Sequence, residues 1–244
     1  MSKKSKAQER AAKAAAALAE RQRKERRRNL LTALAVVAAM VAIVGAGFLL
    51  SQNEDEKRDE GITATTAYDV SIGDEDAPHT IVIYEDFLCP FCAAVEASTR
   101  DDLAALADEG KVYVSYRPFN LFGNPPQRDY SVASTNAFAV VLEESGAEVA
   151  KTFHDLLYEN QPSEAGPFPD ADWFVDLAVQ AGAEESDVRD GIENGDGGAW
   201  VVDATAEAGA HGVDSTPTIY LDGEQFRDGR TMDEVAANLV AAVS

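Results

Sequence analysis

Cysteine, histidine and, outside one short segment, positive charge are scarce in this chain. Its 244 residues hold two cysteines, three histidines and three methionines. A structural zinc site takes about four Cys or His ligands, and two cysteines with the scattered His79, His154 and His211 do not supply them at any ligand-like spacing. These histidines read as incidental surface or core residues, and no metal site is expected. A module holding Cu(I) also lacks ligands, because no Met or His accompanies the cysteines. Residues 1–29 carry eleven Lys/Arg against three Glu, which leaves ten basic and forty acidic residues for positions 30–244. A region so acidic repels nucleic acid and anionic lipid. The basic segment has no interleaved aromatic residue, so no nucleic-acid role is expected of it.

The adjoining apolar segment gives this basic charge a meaning. Leu30–Leu50 contains no charged residue for 21 positions, enough at 1.5 Å per residue to cross a hydrocarbon core of about 30 Å. The span is long for a signal-peptide core, and its Phe48-Leu49-Leu50-Ser51 exit lacks a small-residue cleavage site. The expectation is a single-pass anchor with residues 1–29 as a basic cytoplasmic tail and the remainder outside the cytoplasm. Residues 51–66, with the charged run Asn53 to Glu60, form a linker. Residues 67–244 are the size of one domain.

The two cysteines lie in one stretch, Cys89-Pro90-Phe91-Cys92. Thr80 to Tyr84 upstream is a β-branched run of strand length, while Cys92, Val95, Thr99, Leu103 and Leu106 recur at helical steps downstream. The pair therefore opens a helix, with Pro90 at a position where a missing N–H costs nothing. Unpaired amides and the helix dipole favour the Cys89 thiolate. Cys92 shares the apolar face and is the more buried. A structural disulfide and half of a zinc site are the alternatives; a bridge closing two residues removes little chain entropy. Redox exchange, with Cys89 attacking and Cys92 resolving, fits this placement better.

The strand and Lys111 to Tyr116 enclose that helix, which gives a βαβ unit with the cysteines at the carboxyl end of its first strand. Between about 124 and 198 only helical patterns occur: Asp129 to Ser145, Glu148 to Glu159, Asp170 to Ala181 and Glu185 to Glu193. Their aromatics Phe138, Phe153, Trp173 and Phe174 belong to a core. Trp200 to Ala210 is a further helix. Thr218 to Leu221 is a strand, Asp222-Gly223 a hairpin turn, and Thr231 with Glu234 caps a last helix.

Three motifs occur together: Asp76-Ala77-Pro78, Tyr84-Glu85-Asp86-Phe87-Leu88-Cys89-Pro90-Phe91-Cys92 and Gly212-Val213-Asp214-Ser215-Thr216-Pro217-Thr218. In this combination the chain resembles the bacterial DsbA-type thiol–disulfide oxidoreductases of the thioredoxin superfamily, over approximately Tyr68 to Ser244. The resemblance implies an α/β thioredoxin-like fold with an inserted helical subdomain, preceded here by one N-terminal transmembrane helix. It implies Cys89 as nucleophile, Cys92 as resolving cysteine, Pro217 as a cis-proline facing the pair and Thr216 as the residue offering its backbone to an extended client. No cofactor beyond a redox-active Cys89–Cys92 disulfide is implied. The implied partners are exported proteins bearing thiols and a membrane reoxidant of the DsbB or VKOR type. A reductase or isomerase, and a copper-binding or chaperone module, are the alternatives. Phe91 stands where the DsbA prototype has His, which implies a milder oxidant. Ile83 occupies the position at which the superfamily often has a buried acid. Glu85 and Asp86 are nearby candidates for proton transfer with Cys92, or else solvated carboxylates at a strand end.

Overall fold

The structure is a computed structural model, which describes Ile62 and residues 66–244. The basic tail, the apolar span 30–50 and nearly all of the linker lie outside the described residues. Among the described residues no helix is long and apolar enough to cross a membrane.

The sheet has five strands among these residues: β1 (Val70–Ile72), β2 (His79–Glu85), β3 (Val112–Pro118), β4 (Thr218–Leu221) and β5 (Glu224–Phe226), in the order β1-β3-β2-β4-β5. β2 and β3 are parallel, with Ile81 opposite Val114 and Ile83 opposite Tyr116; β1, β4 and β5 pair antiparallel to their neighbours. β2 alternates between two cores, which is why its apolar run is unbroken. Ile81 and Ile83 enter the larger core with Val95, Leu103 and Leu239. Val82 and Tyr84 enter a smaller one with Phe119, Ala208, Val213 and Tyr220 on the other face. β3 buries all seven residues, because it lies inside the sheet between β1 and β2 and is covered on both sides.

Seven helices are described: α1 (Pro90–Asp108), α2 (Gln127–Ser145), α3 (Ala147–Glu159), α4 (Ala171–Ala181), α5 (Glu185–Asn194), α6 (Gly198–Ala210) and α7 (Met232–Val243). α1 packs along α7, while α2 packs against α3, α5 and α6, and α3 against α4 and α1. Phe138, Phe153 and Phe174 are buried, and Trp173 packs on the same core half-exposed. Asp222 and Gly223 both take positive φ, 52° and 84°, the backbone of a two-residue hairpin turn between twisted strands. At α7 the Thr231 side chain accepts from the Glu234 amide at 3.2 Å. The return bond differs from the expected capping box: Glu234 accepts from the backbone N–H of Arg230, at 2.7 Å, instead of that of Thr231.

Candidate active site

Cys89 is the N-cap of α1, with extended backbone (φ −69°, ψ 117°), and Pro90 follows at the first helical position. The Cys89 carbonyl accepts from the amides of Cys92 and Ala93 at 3.1 and 3.2 Å, closing the first turn around the pair. Both cysteines are free thiols; Cys89 is 5% exposed and Cys92 1%. Pro90 and Phe91 are exposed, Phe91 by 59%. The nearly buried sulfur thus lies under an apolar lip.

The loop before β4 crosses the helix terminus. Its Thr216–Pro217 peptide bond is cis, and the Thr216 carbonyl accepts from the Cys89 thiol at 3.4 Å. Positions 127 apart in the sequence are brought together here. That one bond and burial favour the protonated sulfur, but the other hydrogen bonds around it favour the anion and prevail. Hydrogen bonding from the Cys92 thiol, opposed by burial and helped by the Cys92 and Phe91 amides, holds Cys89 down at about 6. Burial pushes the Cys92 thiol well up, and its hydrogen bond to Cys89 and the charges of Cys89 and Glu85 act in the same direction. The two sulfurs are thereby made unequal: one is largely thiolate at neutral pH and the other is a thiol.

Beyond Pro217 a groove of about 230 Å³ is lined by Ser215, Thr218, Gln225, Phe226 and Met232 among others. On the other side of the pair, Gln161 donates to the carbonyls of Phe87 and Cys89 at 3.0 and 3.1 Å. Gln161 follows α3 and was not singled out by the sequence; a polar side chain there gives no local sign that it pins a loop 72 residues away.

A thioredoxin family profile matches residues 65–240. The chain belongs to this thioredoxin family. Among solved structures, the reduced disulfide bond oxidoreductase DsbG of Mycobacterium tuberculosis is 27% identical, with a TM-score of 0.64 over 76% of this chain and 90% of that one. Reduced DsbA of the same organism is 26% identical, with a TM-score of 0.61 over 72% and 91%. MdbA of Actinomyces oris, at 20% identity and a TM-score of 0.60 over 76% and 95%, shares the fold. No curated protein matches by sequence. Within the thioredoxin family the chain is a DsbA-like thiol–disulfide oxidoreductase.

In this DsbA-like site the two acids before the cysteines are not solvated. Glu85 is 1% exposed and Asp86 0%, since β2 ends inside the molecule under the helical layer. Asp86 accepts from the amides of Leu88 and Leu121, each at 2.8 Å, and from the Ser131 hydroxyl. Burial raises its carboxyl to about 6, against these three hydrogen bonds, which lower it. It shapes the turn that presents Cys89, whose amide bonds the Asp86 carbonyl at 2.9 Å.

Glu85 faces a different set of residues. Its carboxylate hydrogen-bonds Nε2 of His154, fully buried on α3, whose Nδ1 bonds Asp155 at 3.0 Å. His154 is therefore no incidental histidine. Burial alone would lower its imidazole; the Glu85 charge and the hydrogen bonds to Asp155 and Glu85 prevail and hold it up at about 9. Glu96 of α1 is 2% exposed, and neither carboxylate oxygen has a hydrogen-bond partner among the described residues. Burial raises it to about 7, against the attraction of His154. Donor atoms of Glu85, Glu96 and His154 lie within 4.8 Å of one another. This spacing would suit a cation, but the direct Glu85–His154 hydrogen bond engages two of the atoms an ion would need.

Proposed function

We propose that the domain is an extracytoplasmic disulfide donor, anchored by residues 30–50, that passes the Cys89–Cys92 disulfide to exported proteins bearing thiols. The observation carrying this reading is the Cys89 sulfur at the N-terminus of α1, 3.4 Å from the carbonyl of Thr216 in the Pro217 loop. DsbA and DsbG of Mycobacterium tuberculosis, by name a disulfide oxidoreductase in the latter case, support the chemistry. The charge-free span behind eleven basic residues supports the compartment, where disulfides persist.

In the donating direction a client thiolate attacks Cys89 Sγ. The Cys89–Cys92 bond breaks, Cys92 leaves with the electron pair, and it takes up a proton because burial disfavours its anion. An extended client segment lies beside the Thr216 backbone during this step. A second client thiolate then attacks the client sulfur, a client disulfide forms, and Cys89 departs as a stabilised thiolate. The client loses two electrons and the enzyme gains them, so a membrane reoxidant of the DsbB or VKOR type must collect them. Glu85 supplies and removes the Cys92 proton. Asp86, engaged by two amides and a hydroxyl, positions the loop.

Cys92→Ser tests this reading. Incubated with oxidised client peptides it accumulates a mixed disulfide that peptide mapping assigns to Cys89, and Cys89→Ser accumulates none. Adducts on the double variant, or exchange activity that survives Cys89→Ser, would contradict the assignment.

A further inference from the structure

Cys92 gains or loses a proton in every cycle, yet it is only 1% exposed. Glu85, whose charge acts on the Cys92 thiol, is equally buried. The described residues contain one hydrogen-bonded route outward: Glu85 to His154 Nε2, then His154 Nδ1 to Asp155, whose side chain is 23% exposed and bonded to Lys151. The imidazole is the middle link, since it bonds two acids at once through opposite ring nitrogens. Around it three groups remain unpartnered and buried: the Glu96 carboxylate and the hydroxyls of Tyr116 and Tyr158. Their rings flank His154 at centroid distances of 4.9 and 5.1 Å. Unpartnered polar groups inside an apolar core are costly, and each asks for an explanation.

Resting on the exchange reading above, we propose that His154 relays protons between Cys92 and solvent, through Glu85 on the inner side and Asp155 on the outer side. During reoxidation by a disulfide, Cys92 gives its proton to Glu85 as its sulfur attacks the mixed disulfide at Cys89. The Cys89–Cys92 bond forms, the bond to the leaving sulfur breaks, and that sulfur departs as a thiolate. The proton arriving at Glu85 displaces one from His154 Nδ1 toward Asp155 and water. In the donating direction the same protons move inward. Facing the imidazole are Glu85 of β2, Glu96 of α1, Tyr116 of β3, and Asp155, Lys151 and Tyr158 of α3; Arg100 of α1 stands by Asp155 with its own partner Glu159. His154 acts through Glu85 and touches no reacting sulfur, so it is a positioning residue in this scheme.

The test is stopped-flow oxidation of the reduced full-length chain by glutathione disulfide, which separates adduct formation at Cys89 from resolution by Cys92. His154→Gln is expected to slow resolution by about 10- to 100-fold, the low end of general acid–base effects, and to change its pH profile. Adduct formation and the Cys89 ionisation should stay within twofold of wild type. Asp155→Asn, a change at a partly exposed position, should slow resolution in the same direction and carries the test where His154→Gln does not fold. Resolution within twofold of wild type in the folded variants, with the same pH profile, overturns the relay. Equal slowing of both steps also overturns it, since that signals general damage. Wild-type protein that forms no adduct at Cys89 fails at the earlier step and contradicts the exchange reading itself.

Discussion

Two residues with the same side chain are made to behave differently by their positions on one helical turn. Cys89 caps the turn, its carbonyl accepting the first amides of the helix, while Cys92, three residues on, faces the core. A thiol that ionises near 6 instead of near 9 favours the reduced enzyme about tenfold at pH 7, roughly 30 mV. The thiolate absorbance of the reduced protein near 240 nm is therefore expected to rise with a midpoint about pH 6, and Cys92 should add no second step below pH 9. Phe91 projects beside this sulfur without charge. Phe91→His is expected to lower the Cys89 midpoint further and raise the reduction potential by about 15–30 mV, a three- to tenfold change in the exchange equilibrium. Asp86 acts on the same loop through geometry. Asp86→Ala leaves the Leu88 and Leu121 amides without their acceptor in a buried site, and denaturant unfolding should register a loss of about 2–5 kcal/mol.

At the scale of elements, the chamber formed where β2, β3, α1 and α3 meet has a stability signature of its own. The Glu96 carboxyl, raised to about 7 in the folded state from 4.5, binds its proton more tightly folded than unfolded. Its contribution to stability is thus complete below about pH 4.5 and is lost as pH rises through 7. Glu96→Gln removes that dependence: its melting temperature should match wild type near pH 4 and exceed it by about 3–8 °C at pH 8. His154 behaves likewise, with stability present below about pH 6.5 and lost as pH rises through about 9. These elements differ in how well the sequence announces them. Long periodic helices and the β-branched β2 are legible to within two residues, and Thr218–Leu221 is read as it stands. β1 is missed because three residues carry no period. The Cys89–Cys92 pair and the Thr216-Pro217 motif are legible because each is a local pattern. The chamber is not, since it joins Glu85 to a histidine 69 residues away. One sign was available: Glu96 sits on the same helical face as Cys92, Val95 and Thr99, where a lone acid among buried residues asks for a partner.

At the scale of the molecule, charge and redox state are properties of the whole. Positions 30–244 carry forty acidic residues against ten basic ones, so their field attracts cationic chains. A reduced basic peptide should be oxidised faster than an acidic one of equal length at low ionic strength, and the difference should vanish near 1 M salt, where screening acts within about 3 Å. The redox potential sums every effect that separates the dithiol from the disulfide: the capped thiolate, the buried thiol and the buried acids and histidine behind it. Equilibration of the Cys89–Cys92 pair with glutathione at pH 7 measures that sum and tests the disulfide-donor assignment most directly. The expected potential lies well above the ~−270 mV of thioredoxin, toward the ~−120 mV of DsbA. A value at or below that of thioredoxin would make the protein a reductant and contradict the assignment.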